Sequence, residues 1–111
     1  MLRPKNKLNK KKSAELGLKY KMQLDQAKAE FEQKEFASES EDGNVSVIVS
    51  GMREIKQLSI DDEFLNNSRE IVEAVVISVV NRALSAVREA NKQLTAEVAE
   101  KFNAQNGITV K

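Results

Sequence analysis

Apolar and polar residues alternate strictly over one part of the chain. Val45, Val47 and Val49 interleave with Ser46, Ile48 and Ser50, the two-residue period of a half-buried strand. Gly51 breaks this run. A second short run follows, with Ile55, Leu58 and Ile60 as its apolar residues, and ends at Asp61-Asp62. Upstream, Glu35 to Ser40 alternates loosely around Phe36 and predicts a first strand. Glu41-Asp42-Gly43-Asn44 lies between the first two strands and is a turn signal, because Gly and Asn tolerate positive φ. Gly51-Met52 opens a second hairpin. The expected product is a three-stranded antiparallel meander with one face to cover.

Everything outside this stretch carries a helical period. Leu16 is the first apolar residue after Ser13, a candidate N-cap. Tyr20, Leu24, Ala27 and Phe31 then follow at spacings of four, three and four, one stripe near the heptad period. Gly17 weakens the first turn, and the helix is expected to fade near Lys34. After the sheet, Asp62 and Glu63 place negative charge at the opening of a turn over Glu63–Leu65. Asn67 with Glu70 resembles a capping box, and Ser68 is a competing cap. The last helix is expected from about Arg69 to Asn103. Val72, Val76, Val79 and Val80 give it a wide apolar face at the start. Ala83, Val87, Ala90, Leu94 and Val98 continue that face as a narrower stripe. The early valines favour strand by propensity, but the run is long, and Ala, Glu, Arg and Leu dominate beyond Asn81. The wide face should lie on the sheet, and the narrow stripe should pair with another helix. The fold class is therefore α+β: a long N-terminal helix, the meander, and a long C-terminal helix.

The central stretch also resembles a known family. Gly43, Val45, Val47, Val49, Gly51, Ile55, Leu58, Ile60, Asp61, Phe64 and Leu65, in that order, are similar to the YbaB/EbfC family of bacterial nucleoid-associated proteins. Ala74 to Ala83, with Asn81 inside, resembles that family's second long helix. The resemblance covers roughly residues 14 to 103. It implies a small DNA-binding homodimer in the bacterial cytoplasm and nucleoid. The lysine-rich N-terminus and the lack of a Gly/Pro/Met-rich C-terminus depart from the family pattern.

Length and composition narrow the picture further. A chain of 111 residues is expected to form one domain. We divide it into a basic, flexible N-terminal tail over residues 1–12, an α+β domain over residues 13–103 and a loose C-terminal tail over residues 104–111. Aromatic residues are limited to Tyr20, Phe31, Phe36, Phe64 and Phe102, so small aliphatics must supply the core. A core of that kind favours dimerisation as a way to bury more apolar area. There is no cysteine, which fits a reducing compartment. No segment has the unbroken apolar length of a membrane span. The basic start is not followed by an apolar signal core, so secretion is not expected.

The net charge of +1 hides an asymmetry. Residues 1–28 hold nine Lys/Arg against Glu15 and Asp25, a net of +7. Residues 29–73 carry a net of −8, and residues 74–111 a net of +2. A basic end beside an acidic middle predicts a negatively charged partner that meets part of the surface. Duplex DNA is the expected partner, held largely through phosphate contacts. The candidate contacts are Arg3, Lys5, Lys7, Lys10, Lys11 and Lys12 in the tail, Lys19, Lys21 and Lys28 on the first helix, and Arg82, Arg88 and Lys92 on the last. None sits in a recognisable base-reading helix.

The chemistry of catalysis is missing. With neither histidine nor cysteine, the commonest general base and the commonest metal ligands are absent. No glycine-rich phosphate loop and no nucleophile elbow occurs. Asp61-Asp62-Glu63 suggests a metal site only superficially, because three adjacent acids need a dedicated loop to face one ion. No enzyme activity, cofactor, metal or small-molecule substrate is expected. Two other readings stay open: a protein-interaction adaptor built on the long striped helices, and RNA binding through the basic tail. The scarcity of aromatics argues against stacking on single strands.

Overall fold

The computed structural model of the chain describes residues 3–107, with side chains from Ala14 onward. The elements are α1 (Arg3–Glu32), β1 (Glu35–Glu39), β2 (Val45–Ser50), β3 (Ile55–Ile60), a 3-10 segment (Asp62–Asn66) and α2 (Arg69–Gln105). This is the expected α+β order. One boundary differs: α1 begins at Arg3 and runs through the basic stretch, so Ser13 lies inside the helix and not at its start. Pro4 falls in the first turn, where its missing N–H would have no helical acceptor in any case. Successive lysines also leave a helix about 100° apart, which spreads their charge. Met1, Leu2 and the last four residues, Ile108 to Lys111, lie outside the described residues, so most of the expected C-terminal tail does too.

The described chain falls into two compact units. The first, Glu30–Gln93, holds the sheet and the start of α2. Its strands run antiparallel in the order β1-β2-β3. Phe36 pairs with Val49 and Ser38 with Val47 on one side of β2. On the other side Val45 pairs with Ile60 and Val47 with Leu58, and after an irregularity beside Ile48, Val49 pairs with Ile55. Residues directly opposite across antiparallel strands share a face. Phe36, Ser38, the three valines, Ile55, Leu58 and Ile60 therefore line one side of the sheet. The three valines are fully buried, as are Val79, Ala83 and Val87 at successive turns of α2. That helical stripe supplies the cover the valines need. Phe31 and Phe64 are buried with them, and Phe31 lies 5.5 Å from Phe36, ring centre to ring centre. Of the wide valine face foreseen for α2, Val79 is buried, whereas Val72, Val76 and Val80 are half-buried.

Each turn of this unit has a local cause. Between β1 and β2, Ser40 Oγ donates to Asp42 Oδ1 (3.0 Å) and accepts from the Val45 N–H (3.1 Å), while Gly43 takes φ +77°. Between β2 and β3, buried Ser50 accepts the N–H groups of Met52 (3.2 Å) and Glu54 (3.3 Å) on its hydroxyl. Arg53 sits in the left-handed region at φ +65°. Gly51 donates to the Lys34 carbonyl at 2.9 Å, and a Cβ at Gly51 would lie 2.0 Å from the Phe31 carbonyl oxygen. The end of α1 is thus pressed onto the second hairpin where only glycine fits.

At the start of α2 the two candidate caps take different roles. Ser68 Oγ accepts the Ile71 N–H (3.4 Å), and the Ser68 carbonyl accepts from Val72 (3.0 Å), so Ser68 is the cap. Asn67 instead closes the 3-10 segment, because its side chain (2.9 Å) and its backbone N–H (3.1 Å) both donate to the Phe64 carbonyl.

The second unit joins residues 1–29 with residues 94–111, and is described over residues 3–29 and 94–107. Here the narrow stripe of α2 meets the stripe of α1. Val98 and Phe102 are buried, with Leu16, Tyr20, Leu24, Ala27 and Leu94 half-buried. Tyr20 meets Phe102 edge-on at 5.3 Å, and Gln23 Nε2 donates to Gln105 Oε1 at 3.0 Å. Gly107 follows α2 at φ +69°, a left-handed conformation that suits a helix end.

Candidate nucleic-acid interface

The candidate cations divide between the two units. Arg3, Lys5, Lys7, Lys10, Lys11 and Lys12 lie on the helical backbone of α1. Their side chains lie outside the described residues. Lys19, Lys21 and Lys28 are exposed on the same helix. Lys21 Nζ lies 3.3 Å from Asp25 Oδ2, one turn on, with both side chains open to solvent. Such a pair is weak, and a phosphate can displace the carboxylate. At 100° per residue Lys21 and Lys28 share a face of α1, and Lys19 points away from it.

In the sheet unit, Arg88 and Lys92 stand one turn apart on α2, both exposed. Arg88 Nη2 donates to Ser85 Oγ at 3.0 Å, which leaves the rest of its guanidinium open. Arg82 is held differently. Its Nη1 donates to the Glu39 carbonyl at 2.7 Å, tying α2 to the end of β1. It also lines a cavity of about 430 Å³ whose rim includes Glu41 and Asp42 and whose floor is Phe64, Val75 and Val79. Its charge therefore sits among carboxylates.

Those carboxylates form one acidic end of the sheet. Glu39, Glu41 and Asp42 flank the first turn, and Asp61, Asp62 and Glu63 follow β3. The two groups are joined where the Asp61 N–H donates to the Asn44 carbonyl at 2.8 Å. The Ser40 hydroxyl, and after it the Asn44 backbone N–H, hold the Asp42 carboxyl below the usual aspartate range. This end repels phosphate. Among the described residues no group of three acids is arranged to hold a metal ion. The opposite end, around the second hairpin, carries Lys34, Arg53 and Lys56, which were not among the candidates. In sequence each is separated from the next by acids such as Glu35 and Glu54, so no local excess of charge marked them.

Two helices flanking a three-stranded meander, with cations on both helix surfaces and an acidic sheet end, define a small α+β protein with an electrostatic binding surface. The chain belongs to the YbaB/EbfC DNA-binding family, whose profile matches residues 12–102. A nucleoid-associated protein of Francisella philomiragia is 32% identical over 73 residues, covering 66% of each chain. One from Francisella tularensis is 34% identical over 71 residues, covering 64% of this chain and 63% of that one. The match thus spans just under two thirds of these relatives' own length. Among solved structures, an uncharacterized protein of Helicobacter pylori, HP0035, superposes with a TM-score of 0.60 at 31% identity, over 70% of this chain and 89% of the other. The family is described by what it binds, not by a reaction. No described helix is long and apolar enough to cross a membrane.

Proposed function

We propose that this chain is a homodimeric nucleoid-associated protein that binds duplex DNA through phosphates and so affects chromosome organisation and gene expression. The observation that carries the reading is the basic run of α1, six cations without an acid among residues 1–12, in a chain of a DNA-binding family. Cations on a continuous helix neutralise phosphates and release counterions without reading bases. Lys19, Lys21 and Lys28 extend the run in the same unit, and Arg88 and Lys92 add a second cationic patch on α2. Arg82 serves the fold more than the ligand, given its bond to Glu39.

The dimer is supported by an apolar surface that the chain leaves uncovered. Ile55 and Leu58 share the valine face of the sheet yet remain 55% and 44% exposed at the β3 edge. Ile71 and Ile77 on α2 are 49% and 60% exposed. A second copy laid on β3 and this part of α2 would bury them.

Fluorescence anisotropy with labelled duplexes tests the DNA reading. Affinity should be similar for unrelated sequences and fall steeply with salt. Each phosphate neutralised adds roughly 0.9 to the slope of log K against log salt. Deleting residues 1–12 should flatten that slope by about two to five units on the same argument. Unchanged affinity and slope would reduce the run to a solubilising appendage, and absence of duplex binding by the full chain would defeat the proposal.

A further inference from the structure

The outer face of α1 is used neither by the fold nor by the proposed DNA contacts. In the helical unit, Leu16, Tyr20, Leu24 and Ala27 turn toward α2. Leu18 and Met22 do not, and are 61% and 63% exposed one turn apart. At 100° per residue, Ala14, Leu18, Met22 and Ala29 fall within a sector about 80° wide, with Asp25 among them. An isolated exposed leucine is ordinary. A second apolar stripe at near-heptad spacing, on a helix whose first stripe is already covered, is the seam of a helix-helix contact.

The flanking charges identify the occupant. We propose that α1 packs antiparallel against α1 of a second copy, with Leu18 on the two-fold axis. In that register Leu18 meets the partner's Leu18, and Met22 meets the partner's Ala14, large against small. Glu15 then faces the partner's Lys21, and Asp25 faces the partner's Lys11. Each pair occurs twice by symmetry. Lys11 enters by its place on the helical backbone. Asp25 is free to change partners, because its bond to Lys21 is solvent-exposed. Neighbouring registers fail. Moving the axis to Tyr20 sets Lys21 against the partner's Lys19 and Asp25 against the partner's Glu15. Moving it to Met22 sets Leu18 against the partner's Gln26. A parallel pair opposes every charge with itself.

The contact is small, well under the roughly 1,200 Å² of a stable interface. It therefore forms where copies are already concentrated. Copies bound near one another on DNA meet at an effective concentration on the order of millimolar, so the contact links DNA-bound copies to one another. This consequence rests on the proposed DNA binding, but the contact itself is measurable without DNA.

The chain has no cysteine, so engineered thiols report cleanly. A disulfide needs Cα atoms within about 7 Å. Under mild oxidation at low salt, Leu18→Cys should give a product of twice the 12.4 kDa chain mass. Lys28→Cys should not, because its two copies would lie about 30 Å apart along the axis. Ala14→Cys and Met22→Cys should each cross-link poorly alone and readily when mixed. Adding Lys21→Glu to Leu18→Cys should slow cross-linking by about fivefold, the effect of turning two exposed attractions into repulsions, and adding Glu15→Lys as well should restore it. Repeating the series with Leu58→Asp, which disrupts the proposed dimer face in the other unit, separates the two contacts. Loss of mass there without loss of the Leu18 cross-link bears on the dimer alone. The α1 contact is overturned if Leu18→Cys cross-links no faster than Lys28→Cys, or if the mixture does no better than its components.

Discussion

The same substitution at two glycines should move stability in opposite directions. At Gly51 an alanine Cβ would lie 2.0 Å from the Phe31 carbonyl oxygen and 2.8 Å from its carbon. Both are backbone atoms, so no side chain can swing aside. An ordinary contact requires a separation of more than about 1 Å between α1 and the second hairpin, which breaks the 2.9 Å bond from Gly51 N–H to the Lys34 carbonyl. That bond contributes about 1 kcal/mol, and forcing packed elements apart costs a further 1–3 kcal/mol or so. Gly51→Ala should therefore destabilise by about 2–4 kcal/mol. At Gly17, mid-helix and exposed, a Cβ meets nothing within 4 Å. Gly17→Ala should stabilise by up to about 1 kcal/mol through helix propensity alone. Urea titration followed by far-ultraviolet circular dichroism measures both, with the slope m unchanged if only the folded state is affected. A Gly51→Ala protein within 0.5 kcal/mol or so of wild type would refute the close approach. A destabilised Gly17→Ala protein would refute the open helical setting.

Val47→Asp or Val79→Asp should cost several kcal/mol, because each buries an unpaired charge; thermal melts check this, and silent variants would mean the sheet and helix faces are wrongly assigned. Arg82→Ala should lower the melting temperature by a few degrees through loss of its bond to the Glu39 carbonyl, about 1–1.5 kcal/mol. Arg88→Ala with Lys92→Ala should leave the melt unchanged and weaken duplex binding, and the reverse pattern in melts and anisotropy would exchange the two roles. Asp42 has a lowered folded pKa, so its contribution to stability is present above the ordinary aspartate value and is lost as pH falls through the lowered one. Asp42→Asn should accordingly flatten the acid limb of the stability-pH curve, as followed by denaturation from pH 6 down to pH 2 or so; an unchanged limb would remove the turn from that account.

The sequence by itself determined the elements and their order. Strict alternation at Val45–Ser50, the Gly43-Asn44 turn and the stripes of both helices are local signals, and each element formed where its signal lay. It also determined the family, through an ordered set of small and apolar residues that spans most of the chain. Helix ends were less legible. Ser13 looked like a cap, but nothing stops the backbone of α1 before Pro4, and the choice between Asn67 and Ser68 depended on the 3-10 segment that occupies Asn67. Tertiary structure alone decided what each face meets. The narrow stripe of α2 found its partner in α1 of the same chain, which leaves Leu18 and Met22 outside. Ile55 and Leu58 read as ordinary strand interior, yet they lie at an edge that α2 does not cover. Arg82 and Arg88 are indistinguishable in sequence. They differ because one lies one turn of α2 from the end of β1 and the other lies beyond it. Charge and periodicity are properties of a segment, whereas cover and hydrogen-bond partners come from segments distant in sequence.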